Sequence, residues 1–451
     1  MPRALADRIQ GTVLTPGEPG FAAEAAAFNT AVVHTPDVIV AAVSPEDVAE
    51  TVRFARAEGR PVTVQATGHG AHTPISGGVL ISTRRLQRLE IDPDSRTATV
   101  GAGVRWDAVL QAAAEHGLTA ICGSAPAVGV VSYLLGGGLG PLARSHGFSS
   151  DYLVGASLVT GTGETIEVNE KQHPDLLWAL RGGKSGFGIV TEARVRLVEL
   201  STVYAGALFF DTEHIEQVLR AWLDWTTIAD PEVTTSVALV RFPDLEVVPE
   251  PFRGRHLLSL RFAYPGSDDE GARLAEPLRT AAPVYLDMLG ELPVEQLGDI
   301  HSDPDEPGPG WNRGLLLDPL DQDFATAFLG ALGPATDAPF LAAELRHLGS
   351  ATAVDVPEGS AVGGRDAAFT LVLIGVPDPA LFEAVLPQAG DRVAEAIRPW
   401  VHPRTNINFA GHPATTEEFE SAWPIASLPR LAALRRRYDP AGLFPFGPLT
   451  L

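Results

Sequence analysis

Three features of the chain predict an α+β fold. Within residues 38–65, short apolar runs alternate with one capped, amphipathic stretch, the mark of an α/β unit. After about residue 200 the apolar runs lengthen, as in Leu257-Leu258-Ser259-Leu260-Arg261-Phe262 and Phe369-Thr370-Leu371-Val372-Leu373-Ile374, with helical stretches such as 215–225 between them. That alternation predicts an antiparallel sheet covered by helices on one face. With 451 residues, 45% hydrophobic and 20% charged, the chain has apolar content for two or three cored domains of ~150 residues each.

Val38-Ile39-Val40 reads as the first strand. The helix after it has Ser44 to cap it, Pro45 in its first turn, Glu46 and Asp47 at the positive end of its dipole, and Gly59 just past its end near residue 57. Residues 61–65 and 79–81 are further strands, and the turn Asp92-Pro93-Asp94-Ser95 leads into a strand over 97–100. A helix over about 105–116 stops at Gly117. Residues 123–140 are too small-sided to pack a core of their own. Residues 153–167 read as a hairpin around Gly161-Thr162-Gly163, residues 175–180 as a short helix, and the Pro- and Asp-rich residues 303–310 as an exposed loop.

Lys+Arg of 33 against Asp+Glu of 56 gives a net charge of −23, a field that repels phosphate backbones and anionic bilayers, so neither nucleic acid nor membrane is expected as a partner. The N-terminus is charged, and no apolar run approaches the ~20 residues of a membrane span. A cytoplasmic protein is expected. The lone cysteine, Cys122, excludes an intramolecular disulfide and a cysteine-rich metal centre; it reads as a small buried hydrophobe, and no metal site is expected.

Chemistry concentrates in three glycine-bearing turns: Gly68-His69-Gly70, Gly136-Gly137-Gly138-Leu139-Gly140 and Gly182-Gly183…Gly186…Gly188. Glycine weakens regular structure, so its repeated use at strand ends suggests backbone approaching a flat or anionic ligand, and a dinucleotide fits. No Gly-x-Gly-x-x-Gly opens a helix after the first strand, and Lys184 lacks the Walker spacing. His69 sets one imidazole beside whatever the first turn holds.

Residues 61–70, then Ala125-Pro126-Ala127-Val128-Gly129…Gly136…Gly140…Arg144…Gly147…Asp151, then Leu177-Trp178-Ala179-Leu180-Arg181-Gly182-Gly183…Phe187-Gly188-Ile189-Val190-Thr191, and last Tyr438-Asp439-Pro440…Leu443-Phe444, resemble in order the berberine-bridge-enzyme-like branch of the vanillyl-alcohol oxidase/p-cresol methylhydroxylase flavoproteins. The resemblance implies a two-part FAD-binding domain of the p-cresol methylhydroxylase type, residues 1–200 and 401–451, with a substrate domain of helix-covered antiparallel sheet, residues 201–400, inserted between. It implies FAD held by a single covalent bond from His69 to the flavin 8α-methyl, because the second-bond cysteine of many relatives is Ala125 here. The implied cofactor-binding set is Gln65, Ala66, Thr67, Gly68, His69, Gly70, Ser124, Ala125, Val128, Gly129, Tyr133, Gly136, Gly138, Gly140, Gly188, Ile189, Val190, Asn406 and Asn408. Relatives usually show Arg-x-Gly-Gly-His, so Gln65 removes a charge from the first turn. Val128, at the oxygen gatekeeper position, resembles oxidases. Tyr133 is placed to stabilise the reduced ring.

The proton acceptor departs from the family. The plant Tyr-x-Asn-Tyr motif reads Asn406-Ile407-Asn408-Phe409, and a glutamate used by some relatives aligns near Leu371. Strand alternation puts Glu344 and Arg346 on one face and His347 on the other, so Glu344 is the candidate base, with Arg346 as its partner or a substrate clamp. Tyr133 and Asn408 complete the candidate catalytic set, and Tyr264 and Trp311 are candidate pocket walls. The expected activity is hydride removal from a small organic substrate, with O2 reduced to H2O2, in natural-product tailoring of a polyketide, phenolic or alkaloid-like molecule; an oligosaccharide is the second choice. The alternatives are a flavin-dependent dehydrogenase or cyclase, or a drug-binding resistance flavoprotein. Oligomeric state is left open.

Overall fold

The computed structural model describes residues 2–411 and 415–445. The first sheet has the order Thr12–Leu14, Val38–Ala41, Val79–Ser82, Val62–Gln65; its first pair is antiparallel and the others parallel. The helix Pro45–Ala57 covers it with Val48, Ala49, Val52 and Ala55, and the Ser44 hydroxyl accepts the Asp47 N–H at 3.2 Å as its cap. Two parallel strands therefore end side by side at residues 65 and 82, and such carboxyl ends are where open sheets bind ligands.

The second sheet is wholly antiparallel, in the order Leu89–Asp92, Thr97–Gly101, Ile189–Arg196, Leu153–Val159, Thr165–Asn169. Its last two strands are the expected hairpin. Leu89–Asp92, whose side chains alternate between half-buried and exposed, is an additional strand.

The third sheet, also antiparallel, runs Leu286–Asp287, Thr202–Asp211, His256–Tyr264, Thr234–Arg241, Phe340–His347, Phe369–Gly375, Asn312–Leu317, with Gly290–Pro293 beside Thr202–Asp211. Alternation gives it one apolar face: Leu258, Leu260, Leu345, Leu371 and Leu373 pack under Trp222, Phe324, Phe328 and Leu386 of the helices Ile215–Thr226, Gln322–Leu332 and Val385–Ala396. The opposite face carries Ser236, Arg261, Glu344, Arg346 and Thr370, and it meets the rest of the molecule.

The chain then returns. Leu431, Leu434 and Tyr438 of the helix Leu428–Tyr438, with Leu443, join the core built from the first two sheets. The Val62 N–H donates to the Leu443 carbonyl at 2.8 Å. Among the described residues no helix is long and apolar enough to cross a membrane.

Candidate active site

The first glycine turn is built for close approach. Gly68 has φ 76°, and a Cβ there would meet the Ala27 Cα at 2.7 Å. Gln65, expected to face the cofactor, instead turns its amide inward: Nε2 donates to the Ala25 and Ala26 carbonyls at 3.4 and 3.1 Å, and Oε1 accepts from His34 Nε2 at 3.0 Å. Its side chain is spent on scaffold. Arg84, just beyond the neighbouring strand, brings a positive charge to the turn and donates to the carbonyls of Ala66 at 2.9 Å and Ala23 at 3.0 Å, and also to that of Ala26. His69 lies face to face with Phe28, ring centroids 3.6 Å apart. Burial, and then Arg105, push its imidazole down to about 4, so it is neutral at physiological pH.

The small-residue stretch has a local purpose: it makes room for one phenol. Gly129 and Gly136 flank a short helix, Val130–Leu135, that carries Tyr133. A Cβ at Gly123 would lie 2.6 Å from the Tyr133 hydroxyl, and one at Gly138 2.5 Å from its ring. That hydroxyl is buried beside the Leu139 backbone and makes no well-formed hydrogen bond among the described residues, and burial raises its pKa. Gly140 backs onto the Cys122 carbonyl; the Cys122 thiol is buried, and burial pushes it up to about 12, which makes it inert.

Asn408 packs against Gly136. Its Nδ2 donates to the Tyr133 carbonyl at 2.9 Å, its Oδ1 accepts from Lys184 Nζ at 2.8 Å, and its backbone N–H donates to Asn406 Oδ1 at 3.0 Å. The two asparagines thus hold the turn and the Tyr133 helix together; the protein already occupies both ends of the Asn408 amide. Ile189 and Val190, beside Gly188, are buried in the core and paired in the sheet opposite Val159 and Leu158.

Across the seam, the polar face of the third sheet presents Glu344 and Arg346. Arg346 pairs with Glu344 Oε2 at 2.8 Å and Arg261 with Oε1 at 2.8 Å; the Ser236 hydroxyl donates to Oε1 at 2.8 Å, and His301 Nε2 lies 3.3 Å from Oε1. Arg346 also reaches Ser124 Oγ and the Leu139 carbonyl, both at 3.4 Å, and lies over the Phe409 ring at 5.1 Å. Ser124 in turn donates to Asp303 Oδ2 at 2.7 Å. Burial alone would raise the Glu344 carboxyl, yet Arg346 and Arg261 hold it well below the usual carboxylate range. Burial, then Arg261, lowers the His301 imidazole; both its nitrogens are buried and neither makes a well-formed hydrogen bond among the described residues, Nε2 standing 3.3 Å from Glu344 Oε1.

The structure brings together Tyr133, Ser124, Glu344 and Arg346, with His69, Ala125, Val128 and Gly129 on the adjoining turns. It separates others. Leu371 points into the helix-side core; on that strand Val372 stands opposite Glu344. Tyr264 and Trp311, partly buried, also pack against the helix-side core. Phe28, Arg84 and His301 were missed and Lys184 was weighed only as a Walker lysine; in the polar cluster Glu344 and Arg346 were legible from alternation, and of the rest only Arg261 left a signal, a charge inside an apolar run.

A buried phenol, a neutral imidazole and a Cβ-free cradle suit a flat, polar-edged aromatic group. Residues 36–169 match the FAD binding domain family. The chain is 37% identical to (R)-6-hydroxynicotine oxidase of Paenarthrobacter nicotinovorans over 43% of its own length and 42% of that protein. It is 31% identical to glucooligosaccharide oxidase of Sarocladium strictum over 46% of its length and 43% of that protein. These alignments thus span less than half of either relative. In three dimensions it superposes on 6-hydroxy-D-nicotine oxidase from Arthrobacter nicotinovorans with a TM-score of 0.84 and 24% identity, covering 97% of this chain and 96% of the other. Residues 36–169 thus match an FAD binding domain, the relatives are FAD-linked oxidases, and the superposition shows that the whole chain shares their fold.

Proposed function

We propose that the chain is an FAD-dependent oxidase. It takes hydride from a C–H bond beside a hydroxyl, an amine or an aromatic carbon of a small organic molecule, and O2 leaves as H2O2. The observation that carries this reading is the buried Glu344–Arg346–Arg261–His301 cluster set against the FAD-binding residues through Ser124 and Leu139. The oxidases of hydroxynicotine and of glucooligosaccharide among its relatives support it.

When bound, FAD supplies the two-electron acceptor. Residues 1–200 and 401–451 hold it and 201–400 hold the substrate. His69 makes the one covalent bond, Ala125 taking no part. The backbone of Ala66, Thr67, Gly68 and Gly70 serves its anionic part; Ser124, Val128, Gly129, Gly136, Gly138 and Gly140 surround it; the backbone of Gly188, Ile189 and Val190 borders it. Tyr133 gives its hydroxyl to negative charge developing in the reduced state, and Asn406 and Asn408 fix Tyr133 from behind.

Glu344 is a poor proton acceptor, since neutralising it leaves two buried guanidiniums uncompensated. His301 takes that role: Glu344, 3.3 Å from Nε2, orients the imidazole, and the buried Nδ1, without a partner among the described residues, accepts from a substrate hydroxyl or amine. Arg346 clamps the substrate.

The test is anaerobic mixing of the purified protein with 6-hydroxynicotine, other heterocyclic amines, phenols, aromatic polyketides and oligosaccharides. Flavin bleaching followed by peroxide on admitting air is expected for at least one class. Bleaching with sluggish reoxidation identifies a dehydrogenase, product without net bleaching or peroxide a cyclase, and tight binding with neither a sequestering protein.

A further inference from the structure

Phe28 has no part in the chemistry above, yet its ring lies 16° from parallel with that of His69. Its place is determined from several sides. The Phe28 N–H donates to the Thr67 carbonyl at 3.0 Å, inside the turn that carries His69, and the Phe28 carbonyl accepts from the Gly308 N–H at 3.1 Å. Asn29 donates to the carbonyls of Ala71 at 3.2 Å and Gly310 at 2.9 Å. Ala27 fills the space that Gly68 leaves by having no side chain. The segment is therefore tied to both ends of the turn. The imidazole lies beside the Ala127 backbone, and in its neutral form one ring nitrogen is N–H and the other has a free lone pair.

We propose that Phe28 is the positioning residue for covalent flavin attachment, clamping the His69 ring so that its lone-pair nitrogen attacks the flavin 8α carbon without a protein base at that nitrogen. The proposal rests on His69 being the tether. In the step, a C–N bond forms between that nitrogen and the 8α carbon, while one C–H of the 8α-methyl and the N–H of the other ring nitrogen break. Two electrons and two protons pass to the isoalloxazine, and O2 removes them as H2O2. A ring held in one orientation is what makes such an attack unimolecular and fast. Arg105 and Asp303 are the charged groups acting on the imidazole, and with its pKa at about 4 it needs no deprotonation near neutrality.

The experiment uses the full chain produced in riboflavin-starved cells and then given FAD. Attached flavin is read over time as fluorescence that survives acid precipitation and denaturing electrophoresis, and non-covalent FAD is read by absorbance after gel filtration. Phe28→Leu is expected to retain FAD but to attach it at least roughly ten-fold more slowly. Phe28→Tyr, which restores the ring, should attach at close to the parent rate, and the parent rate should be level from about pH 6 upward. Equal rates for Phe28→Leu and the parent overturn the proposal, as does a loss in Phe28→Tyr as large as that in Phe28→Leu. If the parent chain attaches no flavin at all, the His69 assignment falls, and this proposal with it.

Discussion

Glu344 illustrates how much a residue's neighbours decide. Its place on the inward face was legible from alternation alone, as was that of Arg346; its chemistry was not, because Arg261, Ser236 and His301 reach it from separate elements. A carboxylate held between two buried guanidiniums is stable as an ion pair and unwilling to take a proton. Removing it strands both cations. Glu344→Ala should therefore lower stability by ~3–5 kcal/mol, read from urea unfolding, whereas a triple change of Glu344, Arg346 and Arg261 to Leu, Met and Met should cost much less. A small loss for the single change would mean that water already reaches the guanidiniums. Phe28 and His301 were illegible for a related reason: a ring contact and an orphaned nitrogen are properties of packing, and no spacing in the chain announces them.

Elements with strong local signals were read correctly: the Ser44-capped helix, the hairpin at 160–163 and the long runs of the third sheet all have turns or caps that act over a few residues. The helix Val130–Leu135 was missed, since six residues between glycines show no periodicity. Its worth lies in what it gathers. Lys184 donates its backbone N–H to the Leu135 carbonyl at 2.8 Å and its amine to Asn408, which holds the Tyr133 carbonyl. Three distant segments meet there on one buried amine, which burial pushes down to about 8. The sign of its effect on stability follows. Between that value and the ordinary lysine value near ~10.4 the unfolded chain binds more protons than the folded one, so this group adds stability as pH rises through that window. Lys184→Met should flatten that part of the curve of unfolding free energy against pH. An unchanged slope in the variant would show the amine to be solvated.

At the scale of the whole molecule, two cores face each other across a polar seam, and the C-terminal helix joins the core built by the N-terminal part. The resemblance in the sequence implies a cofactor site drawn from both of those segments. The order of the eight-stranded sheet was not foretold: Thr234–Arg241 pairs with Phe340–His347 without any local turn to set the register. A further property belongs to the molecule as one body. Its net charge of −23 repels a dianionic pyrophosphate at long range, whereas Arg84 and Arg105 attract it only near the first glycine turn. At ~10 mM salt the Debye length is ~30 Å and the whole field is felt; at ~0.15 M it is ~8 Å and only the local arginines remain. Association of FAD with the flavin-free chain should therefore quicken several-fold as salt rises over this range, followed by the quenching of FAD fluorescence on mixing. If association slows instead, the arginines at the turn govern capture even at long range, and the acidic surface must lie on the far side of the molecule from the entrance.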